Sequence, residues 1–146
     1  MEINHRAIAI ETYNRCWELL ELQSPTVEHH TELLTAALTS RYHWLHAGGP
    51  QENVIADWMV ARAAGVSGLG DLAIRFALRA EAALTNELAD WLQASVAEGV
   101  ARAYRDAGEE AECLTWIGVA ADRIEAISDE EDRTLIASQL EEVRFF

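Results

Sequence analysis

The chain has 146 residues, half of them apolar, and a net charge of −14. That size and apolar content suit one domain with a single substantial core and exclude intrinsic disorder. Its positive charge is all arginine, without lysine, and is outnumbered by 25 acids; nucleic acid and anionic lipid are therefore disfavoured as partners, and the acidic surface reads first as a solvated face that keeps the chain in solution, with a basic partner as the sharper alternative.

Alanine, leucine and glutamate dominate, and only two prolines occur, so an all-α fold is expected. Cys16 and Cys113 lie far apart without CxxC spacing and read as buried reduced thiols. No long apolar run opens or interrupts the chain, so neither a leader nor a membrane span is predicted and the expected location is cytoplasmic.

Seven helices are predicted. The first runs from Ile3 to Leu22, with Ile10, Tyr13, Trp17 and Leu20 as its apolar stripe. Ser24, as N-cap, and Pro25, at the first helical position, open a second that continues to about His46. A helical wheel at about 100° per residue puts Val27, Leu34, Leu38, Tyr42 and Leu45 on its buried face. Glu28, Glu32, Thr39, His43 and His46 then face solvent. After AGGP, Pro50 opens a third helix over 51–65, and GVSGLGD turns tightly into a fourth over 71–84. Asn86 caps a fifth, which runs through Trp91 to Ala107, and Gly108 stops it. A sixth carries Cys113, Trp116, Ile117, Ala120 and Ile124 on one face. Ser128 and Glu131 form a capping box for a closing helix over 129–142, whose first turn is acidic as the helix dipole prefers.

The tetrapeptide VARA occurs at 60–63 and again at 100–103. The same shift pairs Gly68 with Gly108, Phe76 with Trp116 and Ala80 with Ala120. Helices three and four are therefore one copy, and five and six another, of a single helical hairpin. Helices one and two make at best a degenerate copy. The single domain then consists of hairpins over about 3–46, 51–84 and 87–127 with a charged closing helix, since stacked hairpins need a terminal element to shield the last apolar face.

Ala61, Ala64, Gly68, Ala73, Ala77 and Ala80 in one copy, and Ala101, Tyr104, Gly108, Cys113, Ile117 and Ala120 in the next, make the hairpin resemble the tetratricopeptide repeat over about residues 54–127. The period of the repeat departs from that family's usual length of about 34 residues, and no proline closes the second helix of either hairpin. The resemblance implies a superhelix of stacked hairpins acting as a non-catalytic protein-protein interaction module, with a concave groove lined by the first helix of each hairpin. Carried over residue by residue, it puts Trp58, Arg62, Glu98, Arg102 and Arg105 on the groove side. Arg62 and Arg102 could there grip a carboxylate of a peptide or protein through paired N–H donors, or bridge to acids on neighbouring helices. The asparagine and lysine of the family's carboxylate-gripping pattern are not found at the key places. The chain as a whole also looks like a group of uncharacterised bacterial proteins of similar length, which implies no activity.

No GxSxG, HExxH, P-loop or Rossmann fingerprint occurs, and no cofactor is expected. His43 and His46, at i and i+3, are weak metal-ligand candidates and underlie an alternative reading as a small metal-dependent enzyme. A further alternative is a structural homo-oligomer, such as a homodimer, that uses Val143-Arg144-Phe145-Phe146 as its interface. The five tryptophans fall on apolar stripes and read as core.

Overall fold

A computed structural model, in which residues 1–144 are described, contains seven helices and no strand among those residues. They are α1 (His5–Leu20), α2 (Val27–Ala47), α3 (Pro50–Val66), α4 (Gly70–Ala82), α5 (Asp90–Asp106), α6 (Glu110–Glu125) and α7 (Glu130–Arg144). The chain is thus all-α, as expected. α1 packs on α2, α3 on α4 and α5 on α6 as three hairpins, and α2–α3, α4–α5 and α6–α7 contacts join them in series. The odd-numbered helices also pack on their odd-numbered neighbours, whereas the even-numbered ones meet only through long side chains, as where Arg123 of α6 donates to the Glu81 carboxylate of α4 and Arg41 of α2 lies over Phe76 of α4. The result is an inner layer of α1, α3, α5 and α7 backed by an outer layer of α2, α4 and α6. None of these helices is long and apolar enough to cross a membrane.

The shift that superimposes the two VARA segments also carries Pro50 onto Asp90 and Gly70 onto Glu110, and α3 and α5 are both 17 residues long. Both inner helices end in the same way. Gly68 and Gly108 take φ of +81° and +77°, a region nearly closed to residues with a Cβ. The left-handed residue lets the Leu69 N–H reach the Ala64 carbonyl at 2.9 Å, and the Glu109 N–H reach that of Tyr104 at 2.9 Å. These are the long bonds of a Schellman closure. A Cβ at either glycine would meet nothing within 4 Å, so substitution acts through the backbone alone. Gly68→Ala and Gly108→Ala should each lower stability by about 1–2 kcal/mol, and additively, since the two turns share no partner. Urea denaturation checks this, and an unchanged midpoint would show that the turns do not need the left-handed residue. The six-residue α1–α2 connection has no glycine, so the first hairpin lacks this device.

Several helix ends differ from expectation. α1 is shorter at both ends than Ile3 to Leu22, because the Asn4 side chain caps it by accepting from the Ala7 N–H at 3.0 Å. α2 starts at Val27 and not at Pro25. Thr26 accepts from the His29 N–H at 3.2 Å while the His29 ring accepts from the Thr26 N–H at 3.0 Å, a reciprocal cap that Ser24 would forgo. α5 begins at Asp90, and Asn86 does not cap it: residues 85–88 form a turn closed by the Leu88 N–H on the Thr85 carbonyl. At α7 the cap is Asp129, which accepts from the Asp132 N–H at 2.9 Å. Ser128 instead gives its N–H and hydroxyl to Asp90, holding the α6–α7 loop against the start of α5. Pro50 does open α3, with the Glu52 carboxylate accepting from the Gly49 N–H.

The buried face of α2 is also not the predicted one. Leu33, Ala36, Ala37, Ser40 and Trp44 are buried, whereas Val27, Leu38, Tyr42 and Leu45 are exposed. α2 is apolar around most of its circumference, so the wheel had two solutions. Small side chains decided between them: Ala36, Ala37 and Ser40 allow close approach, and the Ser40 hydroxyl donates to the Ala9 carbonyl of α1 at 2.8 Å. Both cysteines are buried and free. Burial pushes the Cys16 thiol up to about 12, which leaves it inert at neutral pH.

Candidate functional site: an aromatic groove on the inner layer

Four inner helices each turn one helical face toward a common groove. α1 supplies Tyr13 and Trp17, α3 Ile55 and Trp58, α5 Trp91, Leu92 and Ser95, and α7 Asp132, Leu135, Ile136 and Gln139. Spacings of three and four keep each set on one side of its helix. The groove encloses about 220 Å³. α1 and α7 do not pack on one another; they stand as opposite walls, with α3 and α5 as the floor. A second depression of about 150 Å³, lined by Ile10, Tyr13, Trp44, Glu52 and Ile55, shares Tyr13 and Ile55 with the first. Together they form one trough.

Trp58 is fixed at the floor by its neighbours. Its indole N–H donates to the Ser95 carbonyl at 3.1 Å, and Trp17 packs against it at 5.9 Å between ring centroids. Gly99 of α5 leaves room for the ring: a Cβ there would lie 2.7 Å from Trp58 Nε1. The Arg62 guanidinium lies over Trp17 and Trp58, 5.3 and 5.8 Å from their centroids, which is cation–π range. Burial, helped by the nearby Arg102 charge, lowers the proton affinity of Arg62.

The remaining residues assigned to the groove face another helix of the chain. Glu98 is fully buried on α5 and Arg102 nearly so. Arg102 donates to Glu98 at 2.6 and 2.9 Å, to the Glu142 carboxylate at 3.0 Å and to the Gln139 carbonyl at 3.2 Å. Burial pulls the Arg102 proton affinity down, but the Glu98 and Glu142 charges outweigh it and hold the guanidinium above its ordinary value. Arg105 donates to the Glu142 carbonyl at 2.8 Å. Arg102 and Arg105 therefore fasten α7 to α5. Of the two uses the sequence left open for the repeated arginine, the bridge to a neighbouring helix is the one Arg102 makes. Arg62 Nη1 and Glu98 Oε2 are buried without a hydrogen-bond partner, and both residues line a cavity of about 10 Å³ between α3 and α5.

The structure brings a third histidine to His43 and His46. The Nδ1 atoms of His5 and His43 are 2.8 Å apart, and the His5 and His46 rings stack at 4.3 Å with an interplanar angle of 16°. Ring nitrogens carry their lone pairs in the ring plane, so stacked rings do not aim at one ion. Among the described residues no group of three or more His, Cys, Asp or Glu side chains is arranged to hold a metal. Desolvation, then the charges of His46 and His43, lowers the His5 proton affinity. At the other end, Val143 is buried against the α5–α7 core and is not an exposed interface residue, and Phe145 and Phe146 lie outside the described residues.

Sequence reasoning placed Trp58 on this face but missed Tyr13, Trp17, Trp91 and the whole α7 wall. The available signal was the period-3.6 alignment of Tyr13 with Trp17, which read equally well as core. No protein-family model matches the chain, and no curated protein or solved structure is significantly similar to it.

Proposed function

We propose that this chain is a non-catalytic interaction module of the tetratricopeptide type, which receives a peptide or protein segment in the trough between α1 and α7. The observation that carries the reading is the four-helix trough itself: Tyr13, Trp17, Trp58 and Trp91 converge on an open cavity large enough for a bulky side chain. Aromatic side chains gathered in a concavity supply large, rigid contact area at low entropic cost and dominate binding energy where they occur. The repeated Schellman turns at Gly68 and Gly108 support the stacked-hairpin character that the resemblance implied. The contact a partner makes is then to aromatic rings and to Leu135, not to Arg102, whose donors are engaged within the chain.

Leu135 gives the test, because it lines the trough yet is 56% exposed, so a polar residue there leaves the core intact. A partner captured from host lysate by the wild type should be lost by a folded Leu135→Arg variant, with mass spectrometry as the readout. Equal recovery by both proteins would remove the trough from consideration.

A further inference from the structure

Each of the trough's two depressions carries a single carboxylate in a mostly apolar lining. Asp132 lines the larger depression and Glu52 the smaller one. Neither carboxylate is ion-paired among the described residues. Glu130 and Glu131, beside the half-buried Asp132 in the first turn of α7, are exposed. Arg62 and Arg6, the cations against the trough's tryptophans, line neither depression, and Arg62 Nη1 is buried. The rings add to the same preference, since Trp and Tyr faces attract cations. Within the chain Arg62 already lies over Trp17 and Trp58, and Arg6 over Trp44.

We infer that the occupant of the trough is a basic segment carrying two apolar side chains, which fill the two depressions while Lys or Arg residues beside them meet Asp132 and Glu52. This rests on the reading of the trough as a binding groove. The body's net charge of −14 steers such a segment toward it over distances of about a Debye length. Ile10 of the smaller depression and Trp17 of the larger are separated by seven residues of α1, or about 10 Å at 1.5 Å per residue. A segment in the polyproline-II conformation spans that distance in about three residues, at about 3.1 Å each, and its three-residue turn keeps side chains i and i+3 on one side.

The probe is a capped hexapeptide, Lys-Leu-Lys-Lys-Leu-Lys, titrated against the full chain with tryptophan fluorescence as the readout. Two controls share its length: one with every lysine replaced by glutamate, the other with both leucines replaced by serine. Saturable binding of the first peptide alone is expected. Its affinity should fall about tenfold in the Glu52→Gln, Asp132→Asn double variant, from the loss of two exposed ion pairs. Glutamine at 52 still accepts the Gly49 N–H, so α3 keeps its cap. Binding of the glutamate peptide as tight as that of the lysine peptide, lost in Leu135→Arg, would overturn the charge preference and leave the groove standing. An affinity for the lysine peptide unchanged in the double variant would do the same. If neither leucine peptide binds at millimolar concentration, the groove reading falls together with the inference.

Discussion

Arg102→Ala is expected to destabilise the chain by about 3–5 kcal/mol, the usual cost of leaving one member of a buried ion pair without its partner. For a domain of this size the midpoint of a thermal melt then falls by roughly 10 °C. The size of the effect follows from Glu98, whose side chain is 0% exposed and whose Oε1 accepts both Arg102 bonds. Without the guanidinium that carboxylate loses every hydrogen-bonded partner and keeps only the unbonded charge of Arg62 nearby. The contact to Glu142 contributes far less, because Glu142 is 59% exposed and its charge is screened. Replacing both residues, as in Glu98→Met with Arg102→Met, should recover part of the loss by removing the buried charges together. The double change also relieves Arg62 of the Arg102 repulsion together with the weaker Glu98 attraction, so it leaves no new uncompensated charge there. A cost below about 1 kcal/mol for Arg102→Ala, within the range of exposed pairs, would show that solvent reaches Glu98.

Trp58→Ala should cost a comparable amount, about 3–5 kcal/mol, as large-to-small changes of buried aromatics do. Trp58 is buried between Trp17 and Gly99 and ties α3 to α5 through the Ser95 carbonyl. Trp58→Phe keeps most of the packing and loses that hydrogen bond, for about 1 kcal/mol plus a smaller cavity term. The two variants differ in function as well: alanine removes the floor of the trough and should abolish binding of the lysine-leucine hexapeptide, whereas phenylalanine should retain it. Urea denaturation and the fluorescence titration measure the two effects separately. A destabilisation under about 1 kcal/mol for alanine would mean that the surrounding helices close over the site.

Much of the fold could be read from the chain because its repeat is written in residues with backbone meaning. Gly68 and Gly108 mark a left-handed closure that few other residues tolerate, so their shared offset located four helices. The ends that were misjudged, at Ser24, Asn86 and Ser128, were decided by side chains three or more positions away. His29 reaches back to Thr26, and Asp90 draws Ser128 into a loop contact. Such reciprocal contacts compete with a single-residue cap preference and are not visible in it. The face of α2 went astray because periodicity ranks apolar residues by size, whereas helix approach was set by Ala36, Ala37 and Ser40. The site was half legible. Trp58, Arg62, Glu98, Arg102 and Arg105 all belong to the inner layer or its fastenings, but which of them reach open space depends on where α7 lies. No local pattern in α7 states that it stands opposite α1, since the two touch only through what lies between them.

That opposition ties the number of repeats to the site. Four inner helices in an arc are what bring Trp17 and Leu135 to either side of one cavity. Because α3–α4 and α5–α6 close on the same glycine turn, a duplicated hairpin could be spliced in without disturbing either closure. It would also carry α7 one step further along the arc and part the two walls. In a solenoid, length is ordinarily free to drift by gain or loss of whole modules; here one cavity spans the array from end to end, so under the proposed binding role the count of hairpins would be held fixed along with it.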